Sequence, residues 1–258
     1  MLLTISESEI RRHGPGHLLA VCWRQWRAER ALARRGLHFR TTDTQALLAA
    51  YTAMSDQEFD AINGRQDWAN WRTIPRALSG HVPDRPLRVL DLGCGTGSST
   101  RVLTFYCPAG SRLTGYELAR PLVQVARRRS YLHRSGTPAD VTFCCQGVTE
   151  ALREPDGAAV PARAVDVVNA SGVVGHHLDA TTVRPLIGEL TRVLRPGGVA
   201  LLDVGPTLGD AELSAIMTAG GLARLGYRRS CFLDRTGQVI YRADRSGNLA
   251  EQPPQSVG

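Results

Sequence analysis

The chain has 258 residues, of which 43% are hydrophobic and 21% charged, as in an ordinary globular protein. No uncharged apolar stretch approaches the roughly 20 residues of a membrane span, and the N-terminus lacks the features of a signal peptide, so we expect a cytoplasmic protein without a membrane span. The net charge is +7, and all 31 basic residues are arginine. This bias is more typical of codon usage than of a phosphate-binding surface, so nucleic acid is not the favoured partner.

The first 80 residues contain no convincing strand, and their content of Ala, Leu, Arg and Gln predicts several helices. The arginine-rich stretch 24–40 is typical of a helix with one packed face and one solvated face. Because these helices precede a sheet, they can fold over its ligand-bearing edge. We therefore predict that residues 1–80 form a helical substrate or lid region.

Three aromatic residues of this region are candidates for substrate binding: Tyr51, Trp68 and Trp71. The two tryptophans stand among amides and arginines, which would suit a pocket for a flat or carboxylated small molecule. The alternative, slightly favoured by their spacing of three, is that both lie on one helical face and pack against the domain. Tyr51 is open to the same two interpretations.

From residue 87 onwards, short β-rich runs alternate with segments of helical period, which predicts a mostly parallel sheet with helices on both faces. The predicted strands, each apolar enough to be buried on both sides, are 87–92, 112–117, 141–146, 165–170 and 199–204. Helices are predicted for the crossovers between them, most clearly at 121–129 and 181–194.

The C-terminal part predicts a helix at 210–218 and an antiparallel hairpin, with strands at 227–233 and 238–242 joined by a turn at 234–237. Beyond residue 243 the chain is polar and contains Pro253 and Pro254, so we expect residues 244–258 to be a disordered tail. Residues 81–243 are thus the predicted ligand-binding domain.

A glycine-rich turn follows the first predicted strand, with the sequence Asp91-Leu92-Gly93-Cys94-Gly95-Thr96-Gly97. Its glycines let the backbone approach a ligand where a Cβ would collide. Dinucleotide-binding folds place GxGxxG at this point, but residue 98 is serine here, so that fingerprint fails. The Asp91 carboxylate suits the ammonium of an amino-acid ligand and would repel a pyrophosphate, which favours S-adenosylmethionine.

Polar residues also end the second and fourth predicted strands. Glu117 stands 20 residues after Gly97, where a carboxylate can accept hydrogen bonds from two ribose hydroxyls. Asn169 lies near the end of the fourth strand, and polar residues continue just past it, where open α/β sheets hold ligands. Together, these positions predict a nucleoside-containing ligand at one edge of the sheet.

Residues 87–243 resemble the class I S-adenosylmethionine-dependent methyltransferases, whose seven-stranded Rossmann-like sheet ends in a reversed hairpin. Residues 89–97 are similar to the first motif of the family, and 194–198 to the loop before its fifth strand. Many members hold the adenine amine with an aspartate after strand three; here Gln146 could accept that bond through its amide oxygen. The cofactor-binding residues that we predict are Asp91, Gly93, Cys94, Gly95, Glu117, Gln146, Gly147 and Asn169.

Methyl transfer mainly requires that the two reactants are aligned and water is removed, but a hydroxyl acceptor also benefits from a base. His176 and His177 follow the fourth strand and face the expected position of the methyl group, and imidazole titrates in the useful range. We predict His177 as the better catalytic candidate. The alternative is that both histidines pack against the next helix or cap it.

We therefore predict an enzyme that methylates a small molecule, with oxygen slightly favoured over nitrogen as acceptor. Two alternatives stay open: an RNA or protein methyltransferase, prompted by the arginine excess, and an S-adenosylmethionine-binding protein without catalytic activity. The absence of an Asn-Pro-Pro-Tyr type motif after strand four weighs against methylation of nucleic-acid bases. No Cys/His cluster has the spacing of a zinc site, so no metal is predicted, and a homodimer is left open.

Overall fold

A computed structural model describes residues 16–231 and 236–244. The helices of these residues are α1 (His17–Arg34), α2 (Thr44–Ala53), α3 (Asp56–Ile62), α4 (Gly64–Leu78), α5 (Ser98–Tyr106), α6 (Arg120–Arg128), α7 (Val174–His177), α8 (Arg184–Val193) and α9 (Asp210–Ala219). The strands are β1 (Arg88–Leu92), β2 (Arg112–Glu117), β3 (Asp140–Cys145), β4 (Val165–Ala170), β5 (Leu194–Asp203), β6 (Leu222–Arg229) and β7 (Gly237–Ala243).

The strands form one sheet in the order β3-β2-β1-β4-β5-β7-β6. Strands β1 to β5 are parallel, and β7 runs antiparallel between β5 and β6. The predicted Rossmann-like sheet with a terminal reversed hairpin is confirmed. Because the chain order of the strands reverses between β1 and β4, their carboxyl ends diverge into loops and leave a crevice, the usual place for a ligand in such sheets.

The central strands are buried because helices cover both faces of the sheet. On one face, Val89 and Val167 pack with apolar residues of α4 and α5. On the other face, Leu90 and Val168 pack with residues of α8 and α9. Adjacent residues of a strand point to opposite faces, so each central strand contributes to both clusters and reads as a continuous apolar run.

Strand β3 does not meet the prediction that each strand is buried on both sides. It lies at the edge of the sheet, and Phe143 is its one fully buried residue. The predicted crossover helix is also missing after β3: residues 146–164 form a loop stabilised by an isolated bridge between Arg153 and Ala159. Without a helix in this crossover, all residues of β3 except Phe143 stay partly or fully exposed.

The predicted strand 227–233, the turn 234–237 and the tail 244–258 each lie partly outside the described residues. Strand β6 starts earlier than predicted, at Leu222, and the predicted turn at 234–237 is described only at its last two positions. Of the predicted tail, only residue 244 is described.

Helix α1 has the predicted packed and solvated faces. Val21 and Leu32 are buried on its inner side, whereas Trp23 and Trp26 are exposed on its outer side and stack on one another. Helix α3 begins with a capping box, in which the Ser55 hydroxyl accepts from the N–H of Glu58 and the Glu58 carboxylate accepts from the N–H of Ser55. Within 16–231 and 236–244, no helix combines the length and apolar character needed to cross a membrane.

Candidate active site

The glycine turn after β1 is packed so closely that side chains are excluded at three positions, of which Gly93 and Gly95 line the cavity described below. Gly93 and Gly95 both adopt positive φ angles, of 67° and 55°. A Cβ on Gly93 would lie 2.1 Å from Cγ2 of Val173, and a Cβ on Gly95 would lie 2.5 Å from Cε1 of Phe59. The turn therefore requires glycine for its backbone conformation and for its contact with neighbouring segments.

Asp91 lies behind this turn and is fully buried. Its Oδ2 accepts hydrogen bonds from the hydroxyls of Ser99, at 2.7 Å, and Thr100, at 2.6 Å, and its Oδ1 accepts from the Asn169 amide at 2.7 Å. Burial raises the pKa of Asp91, and these three hydrogen bonds act in the opposite direction. The carboxylate thus joins the turn to the start of α5 and to β4.

Asn169 belongs to the same buried network as Asp91. Its Oδ1 accepts from the Ser171 hydroxyl at 2.9 Å and from the Gln238 amide at 2.8 Å. Neither Asp91 nor Asn169 lines the cavity, and both side chains support the turn, so their direct contact with the cofactor stays a prediction. Sequence reasoning missed Gln238; an amide inside the apolar strand β7 was the available signal.

Glu117 ends β2 beside the turn, as predicted. Its Oε2 accepts from the N–H of Gly95 at 3.1 Å, and its Oε1 accepts from the N–H of Ala119 at 2.8 Å. Burial raises the pKa of the carboxyl group, while the backbone hydrogen bonds oppose that rise. Each carboxylate oxygen retains a further lone pair, and the residue lines the cavity described next.

A cavity with about 1030 Å³ of empty space, part of it open to solvent, lies between the carboxyl ends of the strands and helices α2 to α4. Its sheet wall consists of lining residues within segments 93–99, 117–119, 147–149 and 171–178, which follow β1, β2, β3 and β4. Its helical wall consists of lining residues within 44–70. The predicted cofactor residues on the sheet wall are Gly93, Cys94, Gly95, Glu117 and Gly147.

Gln146 is not on the cavity wall, although Gly147 is. The Gln146 amide donates to the carbonyl of Ala151 at 2.7 Å and accepts from the N–H of Arg153 at 3.1 Å. Its side chain therefore stabilises the loop after β3, and a hydrogen bond from adenine to Gln146 stays a prediction. Val148 lines the cavity in its place.

Tyr51 and His177 bridge the two walls of the cavity. The Tyr51 hydroxyl lies 3.0 Å from Nε2 of His177, and Nδ1 of His177 lies 3.2 Å from the carbonyl oxygen of Thr41. Because a carbonyl can only accept, we assign the ring hydrogen to Nδ1, so that Nε2 accepts from Tyr51. Burial lowers the pKa of His177 and raises that of Tyr51, so both side chains are neutral around pH 7.

His176 does not share this position, which corrects its prediction as a catalytic candidate. It is absent from the cavity wall, and its Nε2 lies 3.7 Å from Oδ2 of Asp203. Neighbouring residues in a helical turn point about 100° apart, and of the two histidines His177 is the one that lines the cavity. Asp203 also accepts from the N–H groups of Val173, Val174 and Gly175 and holds the start of α7.

Trp68 and Trp71 are buried and do not line the cavity, so their prediction as substrate-binding residues is corrected. Trp71 packs edge-on against Phe105 of α5, with ring centroids 5.5 Å apart. The guanidinium of Arg72 covers Trp68 at 3.9 Å from the ring centroid. The packing alternative is therefore the one observed.

Asp60 of α3 links the helical wall to the glycine turn, which sequence reasoning missed. Its Oδ1 accepts from the Thr96 hydroxyl at 2.5 Å, and its Oδ2 pairs with Arg129. The three residues lie far apart in the sequence, in segments without a shared pattern. No sequence signal could have identified this contact.

Comparison with known proteins agrees with this geometry. Residues 89–198 match the family model of a methyltransferase domain. An uncharacterised protein of Synechococcus is 32% identical over 197 residues, which cover 74% of this chain and 44% of that protein. An uncharacterised methyltransferase of Emericella nidulans is 26% identical over 168 residues, which cover 64% of this chain and 57% of the relative. The chain thus spans about half the length of the curated relatives it matches.

Solved structures show the same fold. The magnesium protoporphyrin IX methyltransferase of Synechocystis, crystallised with bound S-adenosylmethionine, superposes with a TM-score of 0.55 at 16% identity, over 80% of this chain and 93% of that one. The family match falls on the part of the sheet that carries the glycine turn and the cavity's sheet wall. Residues 89–198 thus match a methyltransferase domain, and they lie on the fold that the solved S-adenosylmethionine-bound enzyme shows.

Proposed function

We propose that this chain transfers the methyl group of S-adenosylmethionine to a small-molecule acceptor, with oxygen favoured over nitrogen as the acceptor atom. The observation that carries the proposal is the cavity itself: the glycine turn and Glu117 form one side, and helices α2 to α4 form the other. The two reactants of a methyl transfer would lie against these two walls, away from bulk water.

The sheet wall fits the cofactor. The free lone pairs of the Glu117 carboxylate can accept hydrogen bonds from two ribose hydroxyls. Leu118, just after β2, and Val148, in the loop after β3, both line the cavity. Their apolar surface suits a flat base. When bound, S-adenosylmethionine supplies an electrophilic methyl group on its sulfonium.

The helical wall supports a small acceptor over RNA or a folded protein. Helices α2 and α3 bring Tyr51 and Phe59 against the sheet wall, where Phe59 lies directly over Gly95. RNA would need an open groove lined with cations at the site. Among the described residues, no arginine lines the cavity.

In this proposal His177 is the base that makes oxygen the favoured acceptor atom. Its Nε2 carries the lone pair, and the Thr41 carbonyl fixes the ring orientation through Nδ1. The residues 44–70 that line the helical wall exclude water and hold the acceptor. An unprotonated amine acceptor would have no need of this base.

The proposal is tested by calorimetry with S-adenosylhomocysteine, with NAD⁺ as the matched control ligand for a dinucleotide site. We expect saturable binding of S-adenosylhomocysteine and no binding of NAD⁺. Release of S-adenosylhomocysteine from S-adenosylmethionine in the presence of an acceptor then separates an enzyme from a binding protein. Failure to bind S-adenosylhomocysteine, or preference for NAD⁺, would contradict the proposal.

A further inference from the structure

The charge of the cavity wall is opposite to the charge of the whole protein. The sequence contains 31 basic residues, all arginine, and has a net charge of +7. In the described parts of the chain, none of these arginines lines the cavity, whereas the acidic residues Asp67 and Glu117 do. A carboxylated or phosphorylated acceptor would lose hydration there without gaining an arginine as ionic partner.

The surroundings of the Tyr51–His177 pair are apolar. Leu47, Leu48, Phe59 and Leu178 line the same cavity, and the Phe59 ring stands edge-to-face with Tyr51, with centroids 5.1 Å apart. Such walls bind aromatic or aliphatic bodies and leave orientation to a few polar groups. The Tyr51–His177 pair is therefore placed to receive a hydroxyl group on an apolar body.

The pair can also accept a proton. Since Tyr51 donates its hydrogen to Nε2 of His177, its oxygen has lone pairs with which to accept a hydrogen bond from an acceptor hydroxyl. An imidazole is a weak base, so the useful partners are hydroxyl groups that are themselves acidic. Phenols, with a pKa of about 10 as in tyrosine, come within its reach, whereas alkyl alcohols are several units weaker as acids.

We infer that the acceptor is an uncharged phenol or enol with an apolar body, held by Tyr51 as a catalytic residue that passes the proton to His177. This inference rests on the proposed methyltransferase function. The acceptor hydroxyl gives its proton to the Tyr51 oxygen as Tyr51 gives its own to Nε2, and the Thr41 carbonyl stabilises the resulting imidazolium. The acceptor oxygen forms the bond to the methyl carbon, and the electron pair of the broken carbon–sulfur bond stays on sulfur.

Three compounds with one ring system separate the substrate classes: 2-naphthol, the anionic 6-hydroxy-2-naphthoate and the alkyl alcohol 2-naphthalenemethanol. Fluorescence titration of the protein saturated with S-adenosylhomocysteine should show at least about tenfold tighter binding of 2-naphthol than of the anion. Incubation with S-adenosylmethionine should methylate 2-naphthol and leave the alcohol unchanged. Absence of 2-naphthol binding, equal or tighter binding of the anion, or methylation of the alcohol would overturn the inference.

Variants test the proton path. Tyr51→Phe should keep the affinity for S-adenosylhomocysteine within about twofold and lower the transfer to 2-naphthol about 100-fold at pH 7, with the loss shrinking as the pH approaches the pKa of the naphthol. Tyr106→Phe, on α5 and outside the cavity wall, is the matched control and should behave as the unmodified protein. Unchanged transfer in Tyr51→Phe would remove the pair from the mechanism. Calorimetry keeps the two failures apart, because loss of S-adenosylhomocysteine binding in the unmodified protein would refute the proposed function instead.

Discussion

The two walls of the cavity are stabilised by different kinds of interaction. Behind the sheet wall, Asp91, Asn169 and Gln238 form a buried network of hydrogen bonds that spans β1, β4 and β7. The helical wall depends on apolar packing of α2 to α4, with Asp60 as its polar link to the glycine turn. Hydrogen-bond networks demand specific partners, whereas apolar packing tolerates exchange of side chains of similar volume. We therefore expect the sheet wall, which would hold the methyl donor, to tolerate fewer substitutions than the helical wall, which would hold the methyl acceptor.

The largest effect is expected from Glu117→Ala on the sheet wall. This change removes the proposed acceptor of two ribose hydrogen bonds, each worth about 1.5–3 kcal/mol because the carboxylate is charged. The dissociation constant of S-adenosylhomocysteine, measured by calorimetry, should rise at least about 100-fold. Asp140→Ala, at the opposite end of the sheet, is the matched control and should change it by less than about twofold. A small change in Glu117→Ala would contradict the cofactor position proposed above.

A second prediction concerns the contact between the walls. Gly95→Ala would bring a Cβ to 2.5 Å from the Phe59 ring at a backbone φ of 55°. Overpacking of this kind should lower the free energy of unfolding by about 1–3 kcal/mol and weaken binding of S-adenosylhomocysteine. Urea unfolding measures the first effect.

Gly188→Ala is the control for the glycine substitution. Gly188 lies in α8, and a Cβ there would meet nothing within 4 Å. In a helix, alanine is favoured over glycine by about 0.5–1 kcal/mol, so this variant should be slightly more stable than the unmodified protein. If Gly95→Ala were equally well tolerated, the packing of Phe59 on the turn would not be a rigid contact.

The central strands could be predicted from the sequence because burial on both faces leaves an unbroken apolar run. The bounds of β2 and β4 coincide with the predicted segments 112–117 and 165–170. The edge strand β3 was predicted as buried because its run of Val, Phe and Cys resembles that of a central strand. Whether a strand lies at the edge depends on the order of strands in the sheet, which a local pattern does not contain.

The residues of the candidate site also divide into those that a local pattern could place and those that it could not. Glu117 could be placed from its spacing, because the ends of adjacent parallel strands meet at one edge of the sheet. Asp91 and Gln146 form hydrogen bonds within the protein that were not predicted, since the sequence does not tell which donors will reach a polar side chain first. The pairing of Tyr51 with His177 joins residues 126 positions apart and depends on how α2 packs on the sheet. Only the tertiary structure could reveal it.

A smaller effect is expected at the polar link between the walls. Asp60→Asn removes the charge that Arg129 and the Thr96 hydroxyl contact, but the side chain is partly exposed, so we expect a loss of about 0.5–1 kcal/mol in the free energy of unfolding. Dissociation of S-adenosylhomocysteine, followed by stopped flow, should also become faster, because the helical wall opens more readily. The exposed Asp84→Asn is the control. An unchanged dissociation rate would mean that the walls part independently of Asp60.

The smallest effect is a pH dependence that originates from His177. Burial lowers the pKa of this imidazole in the folded protein below its ordinary value of 6.5, so the unfolded chain binds a proton more readily as the pH falls through 6.5. The stability that the neutral side chain provides is complete above pH 6.5 and is lost as the pH falls towards the lower, folded-state pKa. His177→Gln should therefore lose less free energy of unfolding between pH 7.5 and 5.5 than the unmodified protein. His38→Gln, at an exposed position outside the cavity, should retain the original slope. Equal slopes in His177→Gln and the unmodified protein would show that the imidazole between the two walls is solvated, and would weaken its assignment as the neutral acceptor of the Tyr51 proton.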